Sequence, residues 1–215
     1  MNSKRLLAVA SFINIKDKLI DVGCDHGYLG IYLKQNNLCN DLLLTDLRES
    51  ALNNAISNIK KYNLDIKTIK TDGLINIELE KYNTVSICGM GTSTILKILS
   101  TLKNNTTIDK LIIQSNNDLD ILRKEITNLG YYLDDEKTVK ENDIYYVICK
   151  FIKGKKNIDR NTILFGINTE DKKDYYNYLL NYYNNILNKI PKNNKDTNNI
   201  KEYIEILNIL LKERR

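Results

Sequence analysis

A short apolar run near the start of the chain ends in an acidic residue and then breaks into glycines. Asp21 closes the run, Gly23 and Gly27 follow it, and Asp25 and His26 lie between these glycines. A strand that ends at Asp-x-Gly and turns into a helix presents backbone N–H groups and a carboxylate to a nucleotide-like ligand. The pattern therefore predicts a ligand site at the C-terminal ends of parallel strands.

The spacing within this loop does not fit a dinucleotide. The fingerprint Gly-x-Gly-x-x-Gly lets the backbone approach a pyrophosphate, whereas Asp25 stands at the second glycine, where its carboxylate would repel phosphate. A ligand that carries an ammonium and a sulfonium instead accepts an acid at that position. S-adenosylmethionine is such a ligand, and the acid-x-Gly-x-Gly-x-Gly pattern of methyltransferases is met at Asp21, Gly23 and Gly27.

Two further acidic residues follow strand-like runs. Asp46 comes 25 residues after the first acid and directly after Leu42–Thr45, where an acid holds ribose hydroxyls, and Leu47 is placed to cover an adenine. The alternative for Asp46 is an acid at the N-terminus of the next helix. Asp72 and Gly73 follow the third run, where an adenine amino group finds an acceptor, although Asp-Gly is also a common turn.

The fourth run ends in Cys88-Gly89-Met90-Gly91-Thr92. Methyltransferases that act on exocyclic amines carry Asn-Pro-Pro-Tyr or Asp-Pro-Pro-Tyr at this position, and neither is present. Cys88 also suggests a nucleophile that attacks pyrimidine rings, but the prolines beside the cysteine of those enzymes are missing. We therefore expect Cys88 to be a buried thiol at a strand end.

The elements that must position these residues alternate along the chain. Short runs of branched apolar residues predict buried parallel strands, and apolar residues spaced by three and four predict amphipathic helices. This alternation predicts an α/β fold with a doubly wound sheet. The predicted strands are Leu19–Val22, Leu42–Thr45, Ile66–Ile69, Thr84–Cys88 and Leu111–Gln114, and the helical patterns are Glu49–Tyr62, Ile95–Leu99 and Leu119–Leu129.

The pattern changes after the fifth strand. Tyr131–Glu136 and Tyr145–Phe151 predict a hairpin-like pair of strands joined by the polar stretch Lys137–Asp143. The polar segment Gly154–Asn157 then predicts a boundary. We therefore expect a Rossmann-like methyltransferase domain at 1–153.

A second domain is expected at 154–215. Two apolar helical stripes separated by a polar break at 191–199 predict an antiparallel two-helix hairpin. A stripe of four of the tyrosines on the first helix stands out, and we expect most of these rings to pack in the hairpin core or against the first domain, with stacking on RNA bases as the alternative. These residues are Tyr175, Tyr176, Tyr182 and Tyr183.

The positive charge is concentrated in this second domain. The 215 residues carry a net charge of +5, and residues 1–152 hold 19 basic and 19 acidic residues, whereas residues 153–215 hold 13 and 8. A basic unit beside a nucleotide-type site predicts contacts with nucleic-acid phosphates. The alternative is a solvated helical surface without a partner.

Cysteine, histidine and hydropathy patterns exclude other classes of protein. Four scattered cysteines without Cys-x-x-Cys, and His26 as the only histidine, predict neither a metal site nor a disulfide framework. No run of 18 apolar residues predicts a membrane span, and the N-terminus lacks the pattern of a signal peptide. We expect a cytoplasmic protein with reduced thiols.

Five strings together carry a family resemblance. The set, in this order, resembles the bacterial tRNA (adenine-22-N1)-methyltransferase family, known as the TrmK family, over nearly the whole chain. The resemblance implies a class I (Rossmann-like) S-adenosylmethionine-dependent methyltransferase fold and methyl transfer to N1 of adenine 22 in tRNA. The strings are Ser3–Leu6, Asp21–Leu29, Asp72–Leu74, Gly89–Gly91 and Leu111–Asn116.

The resemblance implies roles for individual residues. Asp25 is the candidate for stabilising the positive charge that grows on the base, and His26 and Tyr28 are candidates for shaping or stacking the base pocket. Any of the three could instead hold the methionine end of the cofactor, and His26 could be a structural histidine. The predicted cofactor-binding residues are Asp21, Gly23, Asp25, His26, Asp46, Leu47, Asp72, Gly73, Gly89 and Met90.

The chain departs from the family pattern. Gly27 and Gly30 replace the usual alanine and proline of Asp-His-Ala-Tyr-Leu-Pro, Thr92 replaces the last glycine of Gly-Met-Gly-Gly, and Ser115 replaces the proline of Gln-Pro-Asn. Two alternatives therefore stay open: a methyltransferase of another substrate class, and a non-catalytic RNA-binding protein of the same fold. We expect tRNA as the partner, a monomer, no metal and no membrane.

Overall fold

The computed structural model describes residues 3–103, 107–191 and 194–213. Across these residues, α-helices connect successive strands as far as the fifth strand, except between the third and fourth, where only a 3₁₀ helix at Leu79–Lys81 is formed. The strands are β1 (Lys18–Val22), β2 (Asp41–Asp46), β3 (Lys67–Lys70), β4 (Thr84–Met90), β5 (Lys110–Ser115), β6 (Tyr131–Glu141) and β7 (Ile144–Lys153). The helices are α1 (Lys4–Ala10), α2 (Tyr28–Gln35), α3 (Glu49–Lys61), α4 (Thr92–Leu99), α5 (Leu119–Asn128), α6 (Arg160–Phe165), α7 (Lys173–Lys189) and α8 (Thr197–Lys212).

The strands form one sheet in the order β3-β2-β1-β4-β5-β7-β6. The first five strands in that order are parallel, and β7 runs antiparallel to both of its neighbours. The order reverses between β1 and β4, which are neighbours in the sheet. A crevice opens at such a switch point outside the carboxyl ends of the strands, so the topology itself positions a ligand site there.

Two apolar clusters cover the two faces of the sheet. Ile20, Val85 and Ile113 belong to one cluster, and Leu19 and Leu44 belong to the other. All of these side chains are essentially fully buried, as expected for parallel strands covered on both faces. Burying each contributes about 1.5–3 kcal/mol, so the core holds the strand ends rigidly.

The final strand pair is longer than the sequence predicted. Lys137–Asp143 was expected to be a polar connection, but β6 continues to Glu141, and its residues Lys137 and Val139 pair with Ile148 and Tyr146 of β7. The turn is confined to two residues, both with positive φ, as the tight turns of hairpins require. The expectation was wrong because many side chains of this outermost strand lie at exposed or partly exposed positions, and polar residues there conceal a regular strand.

The residues after Lys153 are helical. Helices α7 and α8 pack against each other around Tyr176 and Leu207, and α6 contributes Phe165 to the same cluster. Helix α6 was not predicted, and residues 192–193 of the expected polar break lie outside the described residues. The division into domains at 1–153 and 154–215 stays a prediction.

Three of the four helical tyrosines pack as expected. Tyr176 is fully buried, and Tyr175 and Tyr183 are partly buried against the same cluster. Tyr182 is half exposed, so the core interpretation does not extend to it.

A buried ion triad joins the sheet to the helices that follow it. Glu136 accepts hydrogen bonds from Arg123 Nε at 2.7 Å and from Lys172 Nζ, and all three side chains are almost completely buried. Arg123 also donates to the carbonyl oxygens of Ile163 and Leu164. The triad therefore fixes the segment around α6 to α5 and β6.

Candidate active site

A cleft of about 990 Å³ opens at the C-terminal ends of β1, β2, β3 and β4. Helix α1 borders it as well. Every residue predicted to bind the cofactor or the base lines this cleft. They are Asp21, Gly23, Asp25, His26, Tyr28, Asp46, Leu47, Asp72, Gly73, Gly89 and Met90.

The loop after β1 depends on a glycine for its close approach to β4. Gly23 has a φ of +74°, and a Cβ atom placed there would lie 2.2 Å from the methyl carbon of Met90. The N–H groups of Gly23 and Cys24 both donate to the carbonyl oxygen of Thr45, at 2.8 and 2.9 Å. The loop is thus attached to β2 while its open side faces the cleft.

Asp21 presents a buried carboxylate to the cleft. Its side chain accepts a 2.7 Å hydrogen bond from the Ser86 hydroxyl, and the residue is only 5% exposed. Burial raises the pKa of Asp21 to about 6; the Ser86 hydrogen bond works against that rise, and the nearby Asp46 carboxylate adds to it. A positively charged group bound in the cleft would stabilise the ionised form.

Asp46 holds the loops around it in place. Its carboxylate accepts hydrogen bonds from the backbone N–H of Asp25 at 3.2 Å and of Arg48 at 2.9 Å, and the residue is 4% exposed. Arg48, not Asp46, is the N-cap of α3, and no side chain caps that helix. Asp46 therefore does not cap α3, but its bond to the N–H of Arg48 places its carboxylate at the N-terminus of that helix, so both roles given for Asp46 stay predictions. Leu47 beside it is 60% exposed, as an apolar surface at the rim of the cleft.

Asp72 and Gly73 follow β3 on the same side of the cleft. Asp72 is exposed, and its carbonyl oxygen accepts the N–H of Ile75 in a turn. Gly73 has a φ of +61° and packs against Ile98 of α4. The turn thus brings the Asp72 carboxylate to the cleft, so the two interpretations of Asp-Gly are compatible.

Asp25, His26 and Tyr28 form an exposed group at the mouth of the cleft. The Asp25 carboxylate, 57% exposed, lies 3.7 Å from His26 Nε2 and 3.6 Å from the Arg48 guanidinium. The His26 and Tyr28 rings stack with centroids 5.5 Å apart and planes 19° apart. An acceptor beside two flat rings suits a planar ligand that carries N–H donors or positive charge.

The end of β4 carries Cys88, Gly89 and Met90. Asn116 donates from its side chain to the Gly89 carbonyl oxygen at 2.9 Å and from its backbone to that of Met90 at 3.0 Å. Cys88 is only partly buried, which corrects the expectation of a fully buried thiol. Burial nevertheless raises its pKa to about 12, so the thiol stays protonated at neutral pH and is a poor nucleophile.

Two of the residues that depart from the family pattern form a hydrogen bond with each other. The hydroxyl groups of Thr92 and Ser115 lie 2.8 Å apart, and Thr92 also donates to the carbonyl oxygen of Asn117 at 2.6 Å. Another departure, Gly30, lies where a Cβ atom would approach a methyl carbon of Leu44 to 2.8 Å. These residues thus fit their surroundings and leave the cleft open.

Two arginines of the cleft were not identified as site residues. Arg48 follows Asp46 by two residues and pairs with both Asp25 and Asp46. Arg5 reaches the cleft from α1, and its place in the Ser3–Leu6 string was the only signal of it.

Two other classes of feature, a cluster of metal-binding side chains and a membrane-spanning helix, are absent from the described parts of the chain. No group of three or more His, Cys, Asp or Glu residues there is arranged to hold a metal ion. None of the helices described is long and apolar enough to cross a membrane.

Comparison with known proteins agrees with the geometry. A family model described as a methyltransferase domain matches residues 2–149. TrmK of M. capricolum, solved with S-adenosyl-homocysteine, is 32% identical with a TM-score of 0.87, and the match covers 100% of each chain. Sp1610 of Streptococcus pneumoniae, a candidate tRNA (m1A22) methyltransferase, is 26% identical with a TM-score of 0.90, covering 98% of this chain and 100% of that one.

A curated relative adds to these structures. MG248 of Mycoplasma genitalium, a candidate tRNA methyltransferase, is 29% identical over 194 residues, which cover 84% of this chain and 87% of that protein. The match of the methyltransferase model and the full-length likeness to TrmK show the family. The chain belongs to the TrmK family of tRNA (adenine-22-N1)-methyltransferases.

Proposed function

We propose that the protein transfers a methyl group from S-adenosylmethionine to N1 of adenine 22 in tRNA. One observation carries the proposal: a single cleft combines buried carboxylates with the exposed group Asp25, His26 and Tyr28 at its mouth. The buried part suits a cofactor, and the exposed part suits a base presented from outside. The family relatives named above are tRNA methyltransferases or candidates for that activity.

The residues present fit the cofactor. Two of the acceptor sites on the Asp46 carboxylate are used by backbone N–H groups, which leaves room for ribose hydroxyls. Leu47 would cover the adenine and Asp72 would accept from its amino group. Asp21 and the Gly23 loop would hold the positively charged methionine end, with Gly89 and Met90 lining the opposite wall.

The reaction asks the protein for position more than for proton transfer. The bound cofactor supplies a methyl group on a sulfonium, and N1 of adenine has a free lone pair, so no strong base is needed. His26 and Tyr28 would hold the base plane, which aligns N1 and contributes through proximity and orientation. Asp25 would stabilise the positive charge that the base gains.

The rest of the molecule would bind the body of the tRNA. N1 of a paired adenine faces its partner, so the target must be exposed by local opening or flipping. The positive excess of residues 153–215 would bind phosphates instead of reading bases. We further propose a monomer that acts in the cytoplasm.

Primer extension tests the function in cells. A methyl group at N1 blocks base pairing, so tRNA from cells that contain the protein should stop reverse transcriptase at adenine 22. Cells that lack the protein should lose that stop, and re-expression should restore it. A stop that persists without the protein would contradict the proposal.

A further inference from the structure

Arg5 brings a positive charge into the cleft from outside the sheet. It lies on α1, and its side chain lines the cleft beside the end of β4. Its Nη1 atom lies 3.9 Å from the position that a Cβ atom would take on Gly89. The guanidinium therefore lies next to the backbone of the strand end that borders the ligand site.

The fold holds this arginine in position at both ends. The backbone N–H of Arg5 and the hydroxyl of Ser3 donate to the same carboxylate oxygen of Glu141, at 2.9 and 3.0 Å. The guanidinium lies over the ring of Tyr146, 5.0 Å from its centroid. A cation over an aromatic face keeps its N–H edge free for hydrogen bonds, so the guanidinium is oriented before any ligand arrives.

Arg5 differs from the other arginine of the cleft, Arg48, in its contacts with carboxylates. Arg48 lies 3.6 Å from both Asp25 and Asp46. Within residues 3–103, 107–191 and 194–213, the Arg5 guanidinium forms no ion pair of 4 Å or less; the nearby Glu141 carboxylate is hydrogen-bonded to the Arg5 backbone N–H and the Ser3 hydroxyl, and the charge of Arg5 acts on it only at longer range, where it helps to lower the pKa of Glu141. A partly buried guanidinium that no carboxylate contacts directly leaves its N–H groups available to a bound anion.

We propose that Arg5 is the oxyanion-binding residue of the cleft and holds a ligand through its planar fork of N–H groups. The proposal rests on the proposed function. Two sources share this chemistry: the phosphate next to the target adenine and the carboxylate of the cofactor. The base is not the expected contact, because methylation makes it positive and would place two positive charges side by side.

The experiment compares Arg5→Met and Arg5→Lys with Lys4→Met, which removes the same charge from an exposed position one residue away on α1. One arm measures S-adenosyl-homocysteine affinity by calorimetry. The other measures the single-turnover rate on tRNA with saturating S-adenosylmethionine, together with its salt dependence. Arg5→Met should lose about 10- to 100-fold in one arm, as expected for charge-assisted hydrogen bonds.

The pattern of losses identifies the anion. A loss confined to the calorimetric arm assigns Arg5 to the carboxylate, and a loss in the tRNA arm with a shallower salt dependence assigns it to a phosphate. Arg5→Lys should lose about fivefold or more in the same arm, because lysine keeps the charge without the fork. If the Arg5→Met variant does not fold, the Arg5→Lys variant decides the test.

Two results would overturn the proposal. One is Arg5→Met within about twofold of wild type in both arms, and the other is an equal loss in Lys4→Met. A wild-type protein that binds S-adenosyl-homocysteine but methylates no tRNA would contradict the proposed function instead. In that case tRNA affinity replaces the rate in the second arm, and the Arg5 proposal is still decided.

Discussion

At the scale of the residue, burial sets the behaviour of Asp21. The residue lies on β1 at the base of the cleft and is only 5% exposed, and Ser86 of the neighbouring β4 is its hydrogen-bond donor. Burial raises its pKa to about 6, from an ordinary value of 3.8. Because the folded-state pKa is raised, the contribution of this group to stability is complete below pH 3.8 and is lost as the pH rises through about 6.

Asp21→Asn should therefore change how stability depends on pH. Without ligand, the wild-type protein should lose about 3 kcal/mol relative to Asp21→Asn between pH 3.8 and pH 7.5. Urea unfolding at several pH values measures this difference. Asp72→Asn, at an exposed carboxylate of the same cleft, should stay within about 0.5 kcal/mol of wild type. Parallel pH curves for wild type and Asp21→Asn would contradict the burial argument.

Asp25→Ala tests the exposed group at the mouth of the cleft. The single-turnover methylation rate should fall about tenfold or more, because charge on the methylated base loses its stabilising carboxylate. The affinity for tRNA should change by less than about threefold, because phosphates supply most of the binding. An unchanged single-turnover rate would show that Asp25 has no role in the reaction.

The residues of the cleft could be predicted from the sequence when they followed a strand. Three acidic residues each lie at or just after the end of a predicted strand: Asp21, Asp46 and Asp72. Parallel strands bring their C-terminal ends to the same side of the sheet, so these residues were expected to meet there. Arg5 could not be found in this way, because its place depends on how α1 packs on the β6–β7 pair. That packing is set by long-range contacts, which leave no periodic signal.

At the scale of the element, the sequence indicated the parallel strands better than the hairpin. Buried strands show continuous apolar runs, so β1, β2 and β4 were placed to within about two residues. Strand β6 carries acidic and basic residues on its exposed positions, which concealed its second half. The attachment of α6 was also hidden, because Arg123, Glu136 and Lys172 are far apart in sequence.

The buried triad should be essential to stability. Burial tends to raise the pKa of Glu136, but Arg123 and Lys172 outweigh it and hold the pKa at about 2. Its contribution is thus present above pH 4.5 and is lost as the pH falls towards 2. Glu136→Gln leaves two buried cations without their anion and should cost about 3–5 kcal/mol at pH 7.

A nearby ion pair, whose acidic residue lies on β6 like Glu136 and whose lysine lies on β7, provides the control. Asp134 pairs with Lys150 at 2.7 Å in a partly exposed position, so Asp134→Asn should cost about 1 kcal/mol or less. Urea unfolding of both variants measures the difference. Equal losses would show that the triad does not fix the helical segment to the sheet.

At the scale of the whole molecule, the excess positive charge and the residues of the cleft lie in different parts of the chain. Residues 1–152 are balanced in charge, and the whole positive excess lies in residues 153–215. The sequence indicated this division of charge directly, because charge can be counted without a structure. Which lysines face the tRNA depends on the tertiary arrangement, so it could not be read from composition.

Charge reversal at the tip of the helical hairpin tests this division. Lys189→Glu with Lys201→Glu changes exposed lysines at the end of α7 and the start of α8. We expect tRNA affinity to fall about tenfold with a shallower salt dependence, while S-adenosyl-homocysteine affinity is unchanged. The control is Lys16→Glu with Lys18→Glu, which lies at the N-terminal end of β1, whereas the cleft is at the C-terminal ends of the strands. Its affinity for tRNA should fall by less than about threefold. Equal losses would contradict a specific role for the hairpin.

The central claim is methyl transfer to one atom of one nucleotide. The most direct measurement uses the purified protein, S-adenosylmethionine and an unmodified tRNA transcript, followed by nuclease digestion and mass spectrometry. We expect 1-methyladenosine at position 22 and no methylation of a transcript that carries guanine there. Methylation at another position, or equal methylation of the guanine transcript, would contradict the claim.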